Sequence, residues 1–338
     1  MTSATSDYAI PRRRLTEDGA VRRVGFELEF AGVTLKQTVS VLAEVFGTPA
    51  TTNSVAHATV THKRWGEFDV EVDSELAQTL ARERADYLRS TGSEEVGDDS
   101  LAEWLVNLAT ELVPVEVVCP PIAMDSLAQL DPLVAALRKA GAQGTAGALH
   151  YAFGVHINPE LPDLSAPSIS RYLQAYVIAQ DWLVERHQVD LARRITPYVN
   201  LYPAAYGRLV LEYDERIALD TLITDYLAHN RTRNRSLDML PLFMELDEAR
   251  IRQAIDDTRI KARPTFHYRL PNCQIDVSGW RLADSWRLWC VVEALADDVE
   301  LQSEMAAQYR SYDSNLINLG KPPWHETLDE IVNAPVSA

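Results

Sequence analysis

The sequence predicts an α+β protein built on a mainly antiparallel sheet with helices packed on one face. Two observations lead to this fold class. Several separated strands each combine an apolar face with a face of potential ligands, as is typical of antiparallel sheets covered on one side. Between these strands lie segments with apolar residues three and four positions apart, which predict amphipathic helices. The uncovered side of the sheet would then be a polar groove.

The first predicted strand carries two carboxylates, Glu27 and Glu29, on one face. Its other face is apolar and consists of Phe26, Leu28 and Phe30. Carboxylates two positions apart on a strand lie about 6.5 Å from each other and repel unless water, a basic side chain or a cation neutralises them. Mg²⁺ or Mn²⁺ would suit such oxygen ligands, and the solvated face of an amphipathic strand is the alternative.

Residues 51–73 predict a β-hairpin with arms at 58–63 and 67–73. The second arm alternates strictly, because Phe68, Val70 and Val72 share one face. The opposite face carries only carboxylates, namely Glu67, Asp69, Glu71 and Asp73. A solvated edge strand accounts for this face, and a ligand-bearing strand is the alternative.

Two later strands add candidate ligands. Residues 115–118 predict a short strand, stopped by two prolines, that places Glu116 in an otherwise apolar run. Residues 149–158 alternate clearly, with His156 and Asn158 on a face of small residues that leaves room for a ligand. Each strand also has an ordinary structural explanation, so the ligand hypothesis depends on the agreement of several strands.

The last predicted strand, residues 264–271, places His267 and Arg269 opposite an apolar face. Upstream of it, a basic loop carries Arg233 and Arg235 in an otherwise acidic protein. Guanidinium groups bind phosphate or carboxylate well, although a loop of solvated or internally paired arginines is the alternative.

Helices and domain limits complete the expected organisation. Apolar spacing predicts helices over residues 35–46, 74–113 with an acidic loop at 91–100, 126–140, 166–188, 215–229, 245–260 and 280–309. We expect one domain over residues 21–320, with a flexible N-terminal arm at 1–20 and a C-terminal tail at 321–338.

The composition restricts the expected partners. The chain has 338 residues, 46% of them hydrophobic, and a net charge of −17, which argues against nucleic acid or an anionic membrane as partner. Its three cysteines are far apart, and neither a secretory signal nor a membrane-spanning run is visible. We therefore expect a cytoplasmic protein.

Four short motifs, at residues 25–30, 116–121, 154–158 and 266–269, together resemble the amidoligase family. This family belongs to the glutamine synthetase and γ-glutamylcysteine synthetase superfamily of carboxylate–amine ligases. The motifs agree with the family in order and extend over residues 24–270. Because each motif is short, the specificity of the resemblance comes from their number and order.

The resemblance implies a curved antiparallel sheet, like the glutamine synthetase catalytic domain, around ATP and Mg²⁺, with Mn²⁺ as an alternative ion. It also implies a ligase that forms an amide or isopeptide bond, γ-glutamyl bonds included, through an acyl phosphate. The substrates would be small-molecule or peptide carboxylates and amines. Members of the superfamily often form homo-oligomers.

The resemblance also implies roles for individual residues. The metal ligands would be Glu27, Glu29, Glu116 and His156. Arg269 would contact the phosphates, and Arg269 and Glu29 would be the catalytic residues. The other cofactor-binding residues would be His156 and Asn158, together with Arg233 and Arg235, which would bind ATP or a carboxylate substrate.

The chain departs from the family pattern at one position, because His267 stands where relatives usually place a glutamate two residues before the arginine. A neutral imidazole binds Mg²⁺ less well than a carboxylate does. We expect His267 to act as a metal ligand, with Glu71 or Asp73 as substitutes.

Two other functions are compatible with the same residues. A metal-dependent hydrolase or phosphatase would use the carboxylates without ATP. A binding protein would keep the fold and lack catalysis, and His267 is the feature that favours it.

Overall fold

The computed structural model describes residues 8–52, 54, 56–72, 114–145, 153–189, 193, 199–313 and 322–332. Its strands are β1 (Arg23–Phe30), β2 (Ala50–Thr52), β3 (His57–His62), β4 (Gly66–Val72), β5 (Val115–Val118), β6 (Ile122–Ala123), β7 (Val155–Pro159), β8 (Leu237–Asp238) and β9 (His267–Tyr268). Its α-helices are α1 (Leu35–Phe46), α2 (Asp131–Ala140), α3 (Ala166–Arg186), α4 (Ala204–Val210), α5 (Leu219–His229), α6 (Leu240–Leu246), α7 (Glu248–Ala254), α8 (Leu282–Asp297), α9 (Val299–Asp313) and α10 (Trp324–Val332).

The strands of the described residues form a single open sheet in the order β2-β3-β4-β5-β1-β7-β9-β8, with β6 paired to one end of β1. Neighbouring strands in this order run antiparallel. The prediction of an α+β fold with a mainly antiparallel sheet is therefore confirmed. The likeness to the glutamine synthetase catalytic domain stays a prediction.

The first strand lies at the centre of the sheet, where β5 and β7 flank it on its two edges. Its apolar side chains Phe26, Leu28 and Phe30 are fully buried, as the alternation of the sequence predicts. Burying one face of β1 fixes its register, since a shift of one residue would bring Phe26 and Phe30 to the polar side. The two glutamates are held on that polar side for the same reason.

Helices cover the apolar side of the sheet on both sides of β1. The first helix packs on the β3–β4 hairpin, begins at the capping residue Thr34 and ends at Gly47, which is left-handed with φ +62°. Under β9, the aromatic ring of Tyr172 lies 5.2 Å from that of Phe266, and the ring of Trp289 lies 5.1 Å from that of Tyr268. These contacts attach α3 and α8 to the last strands.

A buried ion pair connects the start of β1 to α8. The guanidinium of Arg22 donates to both carboxylate oxygens of Glu293, at 2.9 and 2.8 Å. The same carboxylate accepts hydrogen bonds from Tyr172 and Trp289. Because every oxygen of this buried charge is paired, the network positions β1 relative to the helical layer.

The predicted helices over 245–260 and 280–309 are each interrupted, and both predictions were wrong in extent. Asp298 is extended, with φ −98° and ψ 90°, and its side chain caps the next helix by accepting from the N–H of Leu301. Asp247 separates α6 from α7 in the same way by accepting from the N–H of Arg250. An aspartate that competes for backbone N–H groups favours a cap over a helix interior.

The predicted strand at 264–271 is much shorter, since only His267 and Tyr268 form β9. The carbonyls of the three residues that follow accept hydrogen bonds from Arg193. The carbonyl of Pro271 also accepts from the N–H of Val155 in β7 at 3.0 Å, and isolated bridges at Thr265 and Asn272 continue the pairing beyond β9. The first part of the predicted helix at 126–140 is a 3₁₀ segment, Met124–Leu130, and the α-helix begins at Asp131.

Several predictions lie outside the described residues. They are the helix over 74–113 with its acidic loop, Asp73, and the beginning of the strand at 149–158. The domain limits at residues 20 and 320 stay predictions. Among the described helices, none is both long and apolar enough to cross a membrane.

Candidate functional site

Three carboxylates form a row across adjacent strands on the polar side of the sheet. Glu29 of β1 lies opposite Glu116 of β5, and Glu116 lies opposite Glu71 of β4. We call Glu29, Glu71 and Glu116 the carboxylate row. Directly opposed residues of antiparallel strands have Cα atoms about 4.5–5.5 Å apart, so like charges here repel. A divalent cation would remove this repulsion.

Glu27 is buried beside this row and is surrounded by hydrogen-bond donors. Its Oε1 accepts from Asn158 at 2.9 Å and from Arg263 at 3.2 Å, while its Oε2 lies 2.8 Å from Nδ1 of His156. Burial alone would raise the pKa of Glu27, but the neighbouring His267 and Arg263, with the hydrogen bond to His156, hold it well below its ordinary value. Glu27 is therefore ionised at neutral pH.

His156 lies between two carboxylates. Its Nδ1 faces Glu27, and its Nε2 lies 3.4 Å from an oxygen of Glu29. Burial lowers the pKa of His156 to about 4, so the ring is neutral at neutral pH and carries a single proton. One ring nitrogen then presents a lone pair to a carboxylate oxygen. This nitrogen and the oxygen that faces it are both hydrogen-bond acceptors, so they repel each other. A cation bound between them would accept electron pairs from both and remove the repulsion.

These residues form two candidate metal-binding groups that share His156. The buried set consists of Glu27, His156 and His267, and the outer set consists of Glu29, Glu116 and His156. Within each set the ligand atoms lie within 4.8 Å of one another. Carboxylate oxygens and imidazole nitrogens at this spacing fit a divalent ion at usual ligand distances of about 2.0–2.2 Å. The carboxylate oxygens and imidazole nitrogens of both sets are therefore suitable ligands for a metal ion.

Arg269 offers unpaired donors next to these sets. Its side chain is 7% exposed, and its Nε and Nη1 are buried without a hydrogen-bond partner among the described residues. The positive charge of Arg269 acts on His156, whose pKa it helps to lower after the larger effect of burial. A buried guanidinium with unpaired N–H groups requires an acceptor, and a phosphate oxygen would satisfy it.

The basic loop has a different environment. The two terminal nitrogens of Arg235 donate to the backbone carbonyls of Leu201 and His229, at 2.9 and 3.0 Å. Arg235 therefore holds the loop to the fold through these contacts. Arg233 is half-buried. The prediction that these two arginines bind ATP or a carboxylate stays a prediction.

The structure brings three residues to the site that the sequence reasoning missed. Arg263 pairs with Glu27, Asp238 lies 3.7 Å from the ring of His267, and Arg193 donates to the carbonyl of Arg269 at 2.7 Å. Extending the alternation of residues 265, 267 and 269 back by two positions would have found Arg263. Asp238 and Arg193 have no comparable signal, because long-range pairing brings them to the site.

Comparison with known proteins identifies the family of this chain. The family model described as "Putative amidoligase enzyme" matches residues 20–291, well over half of the chain. The matched range contains the carboxylate row, the buried and outer sets of candidate metal ligands, and Arg269. No curated protein and no solved structure gives a significant match. The resemblance seen in the four sequence motifs is therefore confirmed: this chain belongs to the amidoligase family, and the description of that family indicates a ligase-type enzyme.

Proposed function

We propose that this chain is an ATP- and Mg²⁺-dependent carboxylate–amine ligase that forms an amide or isopeptide bond. The observation that carries the proposal is the buried guanidinium of Arg269, with two unpaired nitrogens, beside a carboxylate-rich metal-binding group. Phosphoryl transfer needs this combination of cationic donors and hard-metal ligands, because charge develops on the transferred group. Membership of the amidoligase family supports C–N bond formation as the overall reaction.

The reaction would proceed in two steps. An oxygen of the substrate carboxylate bonds to the γ-phosphorus of ATP, and ADP leaves. The amine nitrogen then attacks the acyl carbon, phosphate leaves, and the amine gives up its proton. A divalent ion, when bound, supplies charge neutralisation for the phosphates.

The residues of the chain would have separate tasks in this reaction. Glu29 and Glu116 would hold Mg²⁺ through their oxygens, with Mn²⁺ as the alternative ion. Arg269 would donate to the phosphoryl oxygens. Its carbonyl accepts from Arg193, and its backbone N–H donates to the carbonyl of Ser236 at 2.9 Å, so the backbone that carries this donor is fixed before substrate arrives. Such preorganised donors stabilise developing charge without reorganisation.

The substrates would be small-molecule or peptide carboxylates and amines, with γ-glutamyl compounds as the first to test. The test measures ADP release by the full-length chain with Mg²⁺, ATP and a panel of amino acids and amines. We expect ADP release that depends on both a carboxylate and an amine, and mass spectrometry should identify the amide. ATP binding without any product would support the binding-protein alternative, and phosphoester hydrolysis without nucleotide would support the hydrolase.

A substitution at Arg269 makes this test specific to the site. Arg269→Lys keeps the charge and loses the planar fork of donors, so we expect kcat/KM for ADP release to fall about 10²–10³-fold. Arg252→Lys is the matched control, because Arg252 lies on the exposed side of α7, where it pairs with Glu248. Equal rates for the two variants would contradict the proposed role of Arg269.

A further inference from the structure

The buried set differs in chemistry from the outer set, and we propose that it is a centre for a divalent transition metal rather than for Mg²⁺. It offers two imidazoles and one carboxylate, from His156, His267 and Glu27, and all three residues are buried. Mg²⁺ prefers oxygen ligands, whereas Mn²⁺, Fe²⁺, Co²⁺ and Zn²⁺ accept imidazole readily, and two histidines with one carboxylate are a common site for such ions. The outer set, with two carboxylates, keeps the preference for Mg²⁺.

In the buried set, one nitrogen of each imidazole lies near the same carboxylate oxygen, Oε2 of Glu27. Nε2 of His267 lies 3.5 Å from Oε2 of Glu27, and Nδ1 of His156 lies 2.8 Å from the same oxygen. The two imidazole rings are 5.0 Å apart and nearly perpendicular, at 74°. Nε2 of His267 is buried and has no hydrogen-bond partner among the described residues. A buried nitrogen without a partner requires one, and a metal ion at this position would supply it.

Asp238 stands behind His267 in the position of an orienting carboxylate. Its Oδ2 lies 3.7 Å from Nδ1 of His267, on the opposite side of the ring from Glu27. Its Oδ1 is fixed by the N–H of Leu240 at 2.9 Å and by the hydroxyl of Tyr226 at 3.4 Å. A carboxylate that accepts the N–H of a ligating histidine holds the ring in one orientation and increases its basicity. Asp238 would form this hydrogen bond by a small movement toward Nδ1 when a metal binds the other nitrogen. Asp238 is therefore a positioning residue for the proposed centre.

The charge around Glu27 also disfavours Mg²⁺. Its other oxygen, Oε1, is occupied by Asn158 and Arg263, so a single oxygen remains to face the imidazoles. The guanidinium of Arg263 cancels much of the negative charge that a hard, strongly hydrated ion needs. Imidazole nitrogens bind transition metals through their lone pairs and depend less on net charge.

The inference concerns the same region as the proposed ligase reaction, since His156 belongs to both sets, but its test measures metal binding and not turnover. The full-length chain, stripped with a chelator, is dialysed against Co²⁺ in a large excess of Mg²⁺. We expect about one Co²⁺ per chain to be retained, with visible absorption typical of a site that contains nitrogen ligands. Displacement of Co²⁺ by Mg²⁺ would overturn the proposal, whether or not any variant folds.

Two substitutions identify the ligands. His267→Glu replaces an imidazole ligand by a carboxylate oxygen, so we expect the excess Mg²⁺ to displace Co²⁺ from this variant. Asp238→Asn should weaken Co²⁺ binding about 10–100-fold without removing a ligand. His325→Gln on α10 is the matched control and should bind like the wild type, and circular dichroism shows whether each variant is folded. Unchanged Co²⁺ binding in a folded His267→Glu variant would contradict the assignment.

The two proposals fail separately. If the chain retains Co²⁺ but never releases ADP, the proposed metal centre is supported and the proposed ligase activity is contradicted. ADP release supported by Mg²⁺ in a chain that does not retain Co²⁺ would do the reverse.

Discussion

Gly154 separates two charged groups that a side chain would push apart. A Cβ atom at this position would lie 2.5 Å from Nη2 of Arg193 and 3.3 Å from Oε2 of Glu29. The N–H of Gly154 donates to the same glutamate oxygen at 2.6 Å. Arg193 cannot move away cheaply, because it donates to the backbone carbonyls of residues 269–271. The absence of a side chain at Gly154 therefore lets the candidate metal ligand Glu29 and the anchoring Arg193 lie side by side.

We expect Gly154→Ala to lower stability by about 1–3 kcal/mol, the usual cost of overpacking, and to reduce ADP release as well. The physical reason is that the added methyl displaces Arg193 or Glu29. Urea unfolding measures the loss of stability, and the ADP-release measurement with Mg²⁺, ATP, a carboxylate and an amine measures the loss of activity.

Gly207→Ala is the control for this change. Gly207 lies inside α4, where the nearest atom to an added Cβ is Cγ1 of Val177 at 3.4 Å. Alanine is favoured over glycine in a helix by about 0.5–1 kcal/mol, so this variant should equal or exceed the wild type in stability. If Gly154→Ala behaved like Gly207→Ala, the crowding argument would be wrong.

At the scale of single residues, the sequence was informative where alternation alone determines which face a side chain occupies. The two glutamates of β1 lie opposite its buried apolar residues, as predicted. Alternation does not determine which residues meet across strands. The pairing of Glu27 with His156 depends on the register of β1 and β7, which are far apart in the chain, and Asp238 reaches His267 only through the pairing of β8 with β9.

At the scale of elements, the pair Arg22–Glu293 joins the central strand to the helical layer. Removing one partner of a buried pair leaves the other charge without compensation, which costs about 3–5 kcal/mol. We therefore expect Glu293→Gln to lower the free energy of unfolding by roughly this amount. Chemical denaturation of the purified variant measures it.

An exposed ion pair provides the comparison. Glu248 and Arg252 lie one turn apart on α7, 2.7 Å from each other, with half or more of each side chain exposed. Glu248→Gln should cost no more than about 1 kcal/mol, because water and salt screen such pairs. Similar losses in the two variants would show that the Arg22–Glu293 pair contributes no more than a surface pair.

Element boundaries were predicted less well than element types. The hairpin and the helix over 35–46 follow from their periodicity, and both are present. The breaks at Asp247 and Asp298 were missed because apolar spacing continues on both sides of each aspartate, while the capping hydrogen bond depends on a local backbone choice. The last strand is interrupted where the carbonyls of residues 269–271 accept hydrogen bonds from Arg193, a contact that no local pattern encodes, and isolated bridges at Thr265 and Asn272 continue the pairing.

At the scale of the whole molecule, buried histidines make stability depend on pH. Burial lowers the pKa of His187 to about 3, and its ring contacts the hydroxyl of Tyr268 at 2.7 Å. The unfolded chain binds a proton at this histidine below about pH 6.5, while the folded chain does not, so unfolding takes up a proton. The contribution of His187 to stability is then fully present above about pH 6.5, and it falls as the pH decreases toward the pKa that His187 has in the folded chain.

For a single histidine the free energy of unfolding changes by about 1.4 kcal/mol per pH unit in this range. We expect His187→Gln, which keeps a polar group near Tyr268, to reduce the slope of the unfolding free energy by this amount between about pH 4.5 and 6. Urea titrations at several pH values measure it for both proteins. A variant with the slope of the wild type would show that His187 is not responsible.

We expect the net charge of −17 and the carboxylate row to make the stability of the whole molecule depend on divalent ions. An ion that binds only the folded chain stabilises it by about 2.7 kcal/mol at about 100 times its Kd. We expect Mg²⁺ to raise the Tm of the metal-stripped chain, and Na⁺ at equal ionic strength to raise it less, because screening alone does not bridge Glu29 and Glu116. Glu116→Gln should abolish the Mg²⁺ effect. Glu67→Gln should retain it, since Glu67 shares a strand face with Glu71 but lies beyond the β4–β5 pairing. Equal Mg²⁺ effects in the two variants would place the ion elsewhere on this acidic chain.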